Sequence, residues 1–161
     1  GALCMHKFIS TFLLSTTTIL GTPAAWGDEV GEVSTKFRLA SPNDKIIVEA
    51  FDDPRIPGAT CYLSHARKGG LSGAIGIAED TSDASIACRQ TGKIELPEGI
   101  ANGDDDGEEV FKKRTSMLFK SLQVVRFYDA KRKVIVYLSY SDKVIDGSPK
   151  NSISVVPIRI Y

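Results

Sequence analysis

The residues of this sequence that are best suited to chemistry lie between Lys45 and Cys88, where two cysteines, a histidine and several carboxylates occur close together. Cys61 and Cys88 lack the C-x-x-C spacing that lowers the pKa of a thiol in oxidoreductases. In an oxidising compartment two such cysteines form one intramolecular disulfide. A Cys61–Cys88 bond would close a loop of about 28 residues and stabilise the fold by roughly 3–4 kcal/mol in the chain-entropy model. The pattern favours a structural disulfide; the redox alternative predicts a reducible bond with an exposed sulfur.

Two groups of acidic residues could converge in space. Asp52 and Asp53 follow one predicted strand, and Glu79, Asp80 and Asp83 follow a glycine-spaced segment. Two carboxylates about 5–10 Å apart would serve a glycoside hydrolase, and several carboxylate oxygens would bind calcium. Aspartate is also common in turns, where its side chain accepts hydrogen bonds from the backbone. The sequence favours the turn interpretation, with a hydrolase or a metal site as the alternatives.

His65 is the only histidine in the chain after His6. A serine hydrolase triad would have to use it, but the sequence has no G-x-S-x-G motif. A zinc site would lack the usual second histidine. We therefore expect a partly buried strand histidine, with catalysis as the alternative. The glycine-spaced segment 67–76 has neither of the phosphate-binding spacings and is interpreted as a closely packed helix or loop.

The segment Asn102–Gly107 imitates the beginning of an EF-hand calcium loop. Oxygen-bearing side chains stand at loop positions 1, 3 and 5, and glycine stands at position 6. Position 12 should be a bidentate glutamate, but it is Lys113. The sequence therefore predicts a solvated acidic loop rather than a tight calcium site.

A basic and aromatic stretch follows at 112–133, with eight basic residues and one acidic residue, Asp129. On one sheet face it would form a surface for an anionic ligand, such as lipopolysaccharide or a phospholipid headgroup, or for an acidic partner. The alternative is that alternate strand residues are only solvated, and that the acidic run 104–109 neutralises the patch. The predicted binding residues are Lys112, Lys113, Arg126, Lys131, Arg132 and Lys133.

The N-terminal residues predict a cleaved secretory signal peptide at 1–27, of which residues 1–4 would be an upstream remnant. A short basic start precedes the uncharged apolar run Phe8–Gly21, and Ala25 and Gly27 put small residues at −3 and −1 of a cut before Asp28. The run is too short to span a bilayer. The alternative is a retained N-terminal anchor.

Cleavage would leave a single exported domain at 28–161. The whole chain has 20 basic and 20 acidic residues, and loss of Lys7 would leave a net charge of −1. This balance indicates no general attraction to nucleic acid. We expect no cofactor, no metal and no transmembrane segment after cleavage.

Short alternating segments dominate the rest of the sequence and predict a mainly β fold. The clearest strands are 45–51, 60–65, 122–129, 134–141 and 152–156, and 129–133 predicts a hairpin turn. A half-buried strand is also predicted at Glu32–Leu39. We expect a single antiparallel sandwich or barrel-like domain with a short helix near residues 70–85.

Four long segments resemble the CreA family (catabolite regulation protein A): KIIVEAFDDP, GIAEDTSDASIACRQ, VFKKRTSMLFKSLQVVRFYDAKRK and LSYSDKVIDGSPKNSIS. The resemblance covers nearly all of 28–161, while the acidic loop and the terminal RIY differ from the family pattern. It implies export and an association with carbon-source-responsive signalling, but it supplies no catalytic residue.

These observations favour a non-enzymatic, disulfide-stapled periplasmic domain that binds an envelope protein or an anionic ligand. The alternative is a hydrolase that uses His65 or the acidic residues Asp52, Asp53, Glu79 and Asp80.

Overall fold

The computed structural model describes residues 27–34, 45–67, 84–114, 121–141 and 150–160. Within these ranges the chain forms eight strands and one short helix, α1 (Glu98–Ala101). The strands are β1 (Asp28–Ser34), β2 (Lys45–Asp53), β3 (Ile56–Arg67), β4 (Ala84–Gln90), β5 (Glu108–Arg114), β6 (Ser121–Asp129), β7 (Val134–Ser141) and β8 (Asn151–Pro157).

The strands form two four-stranded antiparallel sheets. The first has the order β1-β2-β3-β4 and the second the order β5-β6-β7-β8, so within each sheet strands that follow one another in the described sequence are neighbours in space. Antiparallel neighbours need only short connections, such as the turn between β6 and β7. The described strands of one sheet form no ladder with those of the other, so the sheets do not close into a barrel. The predicted mainly β antiparallel fold is confirmed, and of its two forms the structure is the sandwich.

Alternation along β2 explains which side chains enter the interior. Successive strand residues point to opposite faces, and in β2 the buried positions are Ile47, Glu49, Phe51 and Asp53. Two of these four side chains are ionisable. The inner face of the first sheet therefore brings charge into the core and needs partners there.

An apolar core lies between the sheets. The rings of Phe51 on β2 and Phe111 on β5 stack with centroids 4.5 Å apart and an interplanar angle of 18°, an arrangement that contributes about 0.5–1.5 kcal/mol beyond area burial. Ile100 brings α1 into the same core. The other fully buried apolar side chains include Ile56, Leu63, Val110, Val124, Ile135 and Val156.

Serine side chains join the two sheets where β4 meets β8. The backbone N–H of Cys88 donates to Ser154 Oγ at 2.7 Å. Ser152 Oγ donates to the Ala84 carbonyl at 3.3 Å and lies 2.8 Å from Ser139 Oγ. These contacts satisfy polar groups at the edge of β4 without extending the ladder, which keeps the two sheets separate.

Two local predictions have different outcomes. The helix predicted near 70–85 lies outside the described residues, except that residues 84–85 begin β4. The strand predicted at Glu32–Leu39 is described only as far as Ser34, and there it forms the end of β1. Its half-buried character is wrong for that part, because every β1 residue is exposed, including Val33. Among the described strands β1 pairs only with β2 and lies at the edge of the first sheet, so its side chains receive little cover.

Candidate functional site

A buried ion pair joins the two sheets. Asp53 at the end of β2 and Arg126 on β6 are both fully buried. Arg126 Nη1 donates to Asp53 Oδ1 at 2.7 Å and to Oδ2 at 2.8 Å. The Tyr137 hydroxyl on β7 donates to Asp53 Oδ2 at 2.9 Å. We call Asp53, Arg126 and Tyr137 the inter-sheet cluster.

The turn between β2 and β3 places Asp53 in this cluster. The backbone N–H groups of Arg55 and Ile56 donate to Asp53 Oδ1 at 2.9 and 3.2 Å, as aspartate does when it begins a turn. Asp53 therefore stabilises a turn and pairs with a cation at the same time. Because every oxygen of this buried carboxylate is satisfied, the cost of its desolvation is offset.

Alternating charges continue from the inter-sheet cluster to the surface. Arg126 Nη2 donates to Glu108 on β5. Arg55 Nη1 donates to Glu108 Oε2 at 3.0 Å and to Asp105 Oδ2 at 2.7 Å. The hydrogen bond with Asp105 raises the pKa of Arg55 above its ordinary value. The carboxylates of Asp53, Glu108 and Asp105 are thus paired with guanidinium groups rather than free to bind a ligand.

The Tyr137 hydroxyl stays a proton donor. Burial raises its pKa well above the ordinary value, and the negative charge of Asp53 raises it further. The deprotonated form would place a second anion beside a buried carboxylate. The inter-sheet cluster therefore supports structure rather than proton transfer.

A second charged cluster lies on the inner faces, where the buried Glu49 and His65 meet the half-buried Lys113. His65 Nε2 lies 3.0 Å from Glu49 Oε2, and Lys113 Nζ on β5 donates to Glu49 Oε1. Burial on its own would raise the pKa of Glu49, but the hydrogen bonds from Lys113 and His65 outweigh it and hold that pKa below its ordinary value. The Glu49–Lys113 ion pair joins β2 to β5 and, like the Asp53–Arg126 ion pair, connects the two sheets.

His65 is buried as the sequence suggested, but one ring nitrogen lacks a partner. Nδ1 has no hydrogen-bond partner among the described residues. Since Nε2 faces an ionised carboxylate, the neutral tautomer has its proton on Nε2 and leaves a bare lone pair on Nδ1. The side chain is only 4% exposed, so a substrate in solvent does not reach it.

The predicted disulfide is present. Cys61 on β3 and Cys88 on β4 are direct partners in the antiparallel ladder, with Cα atoms 4.0 Å apart. Cys61 is fully buried, whereas Cys88 is half-buried. The bond crosslinks β3 and β4, two neighbouring strands of the first sheet, and so fixes their register.

The acidic residues proposed for a hydrolase do not converge where they are described. Asp53 points inward to Arg126, and the adjacent Asp52 points to the outer face, where its Oδ1 accepts a hydrogen bond from Thr60 at 2.6 Å. Adjacent strand residues face opposite sides of a sheet. Glu79 and Asp80 lie outside the described residues. The described part of the chain gives no support to the hydrolase alternative.

The segment that resembles a calcium loop turns its oxygens toward the protein. Asn102 Oδ1 accepts from the Asp104 N–H at 3.0 Å, and Asp106 Oδ1 accepts from the Tyr128 N–H at 2.9 Å. Asp105 pairs with Arg55. In the described ranges, no group of three or more histidine, cysteine or carboxylate side chains is arranged to hold a metal ion.

The six predicted binding residues occupy three different environments. Arg126 is buried in the inter-sheet cluster, and Lys113 is committed to Glu49. Lys112 on β5 is exposed and pairs with Gln123 in the ladder. Lys131, Arg132 and Lys133 are also exposed and follow Asp129 at the end of β6. Asp129 lies six residues beyond Gln123 on that strand, a distance of about 20 Å. Lys112 is therefore separated from the three cations of the turn.

Sequence reasoning did not find an apolar surface on the second sheet. The residues that face outward on β6, β7 and β8 pair across the ladder, with Val125 opposite Leu138, Phe127 opposite Val136, and Ile153 opposite Leu138. Phe127, Ile153 and Val155 are exposed. The available signal was the sequence of β8, because Val156 is buried and alternation places Ile153 and Val155 on the other face of that strand. We call Phe127, Val136, Leu138, Ile153 and Val155 the second-sheet outer face; Val125 lies on the same side of the sheet but is only 7% exposed.

These features define a disulfide-crosslinked, two-sheet antiparallel sandwich with paired charges in its interior. The profile of the family described as "CreA protein" matches residues 30–160. The chain is 58% identical to Protein CreA of Escherichia coli K12 over 146 residues, which cover 91% of this chain and 93% of the relative. Protein CreA of Escherichia coli O157:H7 matches with the same identity and coverage. The chain belongs to the CreA family. No solved structure matches it significantly.

Proposed function

We propose that this CreA family protein is a non-enzymatic binding module of the periplasm, and that its second-sheet outer face docks a partner protein. The observation that carries the proposal is the exposed apolar surface on β6, β7 and β8. Soluble domains seldom leave a contiguous apolar patch uncovered unless it serves an interaction. The partner would present a complementary apolar face.

The cations at the end of this surface indicate the charge of the partner. Lys131, Arg132 and Lys133 form the turn that joins β6 to β7, at the edge of the apolar patch. Arg132 pairs with Asp129 at 2.7 Å, whereas the two lysines have no ion-pair partner in the described ranges. Charged groups at the rim of an interface mainly set specificity and association rate. An acidic rim on the partner would complement the two lysines.

A flat sheet face favours a protein over a membrane. β-Branched and leucine side chains in register make a level surface of the kind that packs against another sheet or helix. Stable attachment to a bilayer would need a long amphipathic segment or a lipid anchor, and Phe127 is the one aromatic residue among those that define this face. No helix in the described parts of the chain is long and apolar enough to cross a membrane.

Export is supported by the signal-like N-terminus and by the disulfide. The apolar run Phe8–Gly21 and the small residues before Asp28 fit a secretory signal. Disulfides persist in oxidising compartments such as the periplasm. Intact-mass measurement of the exported protein tests this part, because cleavage before Asp28 and unalkylated cysteines are both expected. A full-length chain with free thiols would refute it.

The docking surface is tested by site-specific photocrosslinking in cells. A photoreactive residue at Ile153, which is 62% exposed, is compared with one at Val30 on β1, which is 60% exposed on the other sheet. We expect a protein adduct of defined mass from position 153 and none from position 30. Reversal of Lys131 and Lys133 to glutamate should reduce the yield.

Three outcomes would count against this surface. Equal adducts at both positions would indicate random contact, and a yield that is unchanged by charge reversal would remove the basic rim. Adducts with lipid alone would replace the protein partner by a membrane.

A further inference from the structure

The outer face of the first sheet carries an exposed aromatic ring between small residues. Tyr62 on β3 is 38% exposed. Its ladder partners are Ala50 on β2 and Ala87 on β4. Because alanine has only a methyl side chain, neither ladder partner extends far enough to cover the tyrosine ring. The Tyr62 hydroxyl has no hydrogen-bond partner among the described residues.

A row of polar side chains lies beside this ring. Asp52, Thr60 and Arg89 are opposite one another on β2, β3 and β4, so the row spans two inter-strand spacings, about 10 Å. Thr60 Oγ1 donates to Asp52 Oδ1 at 2.6 Å and lies 2.8 Å from Thr91 Oγ1. Same-face neighbours on a strand are about 7 Å apart, which places this row one step from Tyr62.

The row combines three kinds of hydrogen-bonding group. Asp52 Oδ2 accepts no hydrogen bond from the described residues, and the Arg89 guanidinium has no partner within them. The threonine hydroxyls both donate and accept. A ligand that matches the row must donate to a carboxylate and accept from a guanidinium, and it must also have a flat apolar face for the ring. A pyranose meets all three requirements, because its adjacent hydroxyl groups donate and accept hydrogen bonds and its ring C–H groups form an apolar face.

Other ligand classes fit less well. The Asp52 carboxylate repels phosphate and other anions. A single described carboxylate is too few for a divalent cation, which takes several oxygens.

We propose that Tyr62, Asp52, Thr60 and Arg89 form a saccharide-binding site on the outer face of the first sheet. The ring of Tyr62 stacks on one face of a pyranose, and the polar row binds the hydroxyl groups of the same or the next sugar. The site lies on the opposite side of the sandwich from the second-sheet outer face. Either proposal can therefore fail without the other.

The disulfide holds this site in register. Cys61 and Cys88 pair between the row of Thr60 with Arg89 and the row of Tyr62 with Ala87. A crosslink at that point fixes the offset of β3 and β4, and with it the ladder position of Arg89 relative to Tyr62. Preorganisation of this kind lowers the entropy cost of binding a small ligand.

The test is a titration of the folded, disulfide-bonded protein with cellotetraose, a neutral oligosaccharide whose pyranose faces are flat. Backbone amide shifts are followed by NMR. We expect a dissociation constant of about 1 mM or tighter, with the largest shifts in β3 and β4 around residues 60–62 and 87–89. Tyr62→Ala should weaken binding by about tenfold. The matched control is Phe127→Ala on the other sheet, since Phe127 is 36% exposed, and it should leave binding unchanged.

A second variant and a second probe make the result decisive. Arg89→Gln should weaken binding without removing the aromatic platform, so it reports on the site even if Tyr62→Ala lowers stability. Tetragalacturonate, which carries carboxylates, should bind no better than cellotetraose. The proposal is overturned if cellotetraose shifts no amide on this face, if Tyr62→Ala binds as tightly as the wild type, or if only the acidic oligosaccharide binds and salt abolishes its binding.

Discussion

Replacing Arg126 by methionine tests whether the inter-sheet cluster holds the sandwich together. The substitution removes both hydrogen bonds that Arg126 Nη1 donates to Asp53, at 2.7 and 2.8 Å. Asp53 would remain fully buried, and its remaining partners among the described residues would be the Tyr137 hydroxyl and two backbone N–H groups. A buried charge that loses its counter-ion costs about 3–5 kcal/mol. We therefore expect the free energy of unfolding to fall by that amount.

The measurement is urea unfolding of the disulfide-bonded domain at pH 7, followed by circular dichroism. The midpoint should decrease without a change in slope, since the surface exposed on unfolding is nearly the same. The melting temperature should fall by roughly 10–20 °C for a domain of this size.

The matched control is Arg132→Met. Arg132 Nη1 donates to Asp129 Oδ2 at the same distance, 2.7 Å, but the arginine side chain is 68% exposed. Water replaces a lost partner at such a site, so no change beyond experimental error is expected.

The double variant Asp53→Asn/Arg126→Met separates buried charge from lost packing. Asparagine at 53 can still accept the backbone hydrogen bonds of the turn, but it brings no charge into the core. We expect it to recover about 2–3 kcal/mol relative to Arg126→Met. The reasoning is refuted if Arg126→Met is as stable as the control variant, or if the double variant recovers nothing.

Three further predictions concern other parts of the sandwich. Gly58→Ala should destabilise the domain by roughly 1–3 kcal/mol, because a Cβ there would lie 2.4 Å from a backbone carbonyl oxygen; Gly31→Ala, with open space around it, is the control in the same urea assay. The pKa of Glu49 is held low in the folded state, so the ionised carboxylate stabilises the fold above its ordinary pKa of about 4.3, and this stability is lost as the pH falls through the folded-state pKa. Glu49→Gln should therefore lose less stability between pH 7 and pH 3 than the wild type does. An equal loss would contradict this role. Replacing both Cys61 and Cys88 by alanine should cost roughly 3–4 kcal/mol, and a double variant with unchanged stability would show that the crosslink is dispensable.

The strands and their hairpin were predictable because their signals are local. β6 and β7 were expected at 122–129 and 134–141, and the structure forms Ser121–Asp129 and Val134–Ser141. The turn between them has polar and basic residues and is flanked by alternating apolar ones. The mainly β class follows from such patterns, since each depends on a few adjacent residues.

The placement of Arg126 was not predictable from its own strand. In β6 one set of alternate residues is Leu122, Val124, Arg126 and Tyr128, and neither this set nor the other is wholly apolar. The buried set is decided by Asp53, which lies 73 residues away and on the other sheet. An isolated sequence contains no local signal for such a pair, so a buried cation was assigned to a binding surface.

The position of the charges leaves the outer faces of the two sheets as the accessible surfaces of the sandwich. Asp53, Glu49 and His65 could do chemistry, but each is buried, and the two carboxylates are already matched by Arg126 and Lys113. A paired interior charge specifies how two sheets pack, and exposing it for a ligand would cost the same pairing energy that holds the sheets together. The residues left for recognition are therefore those that point away from the interior. On the first sheet they form a polar row beside an aromatic ring, and on the second they form an apolar face with a basic rim, so the two faces of one sandwich are suited to different ligands.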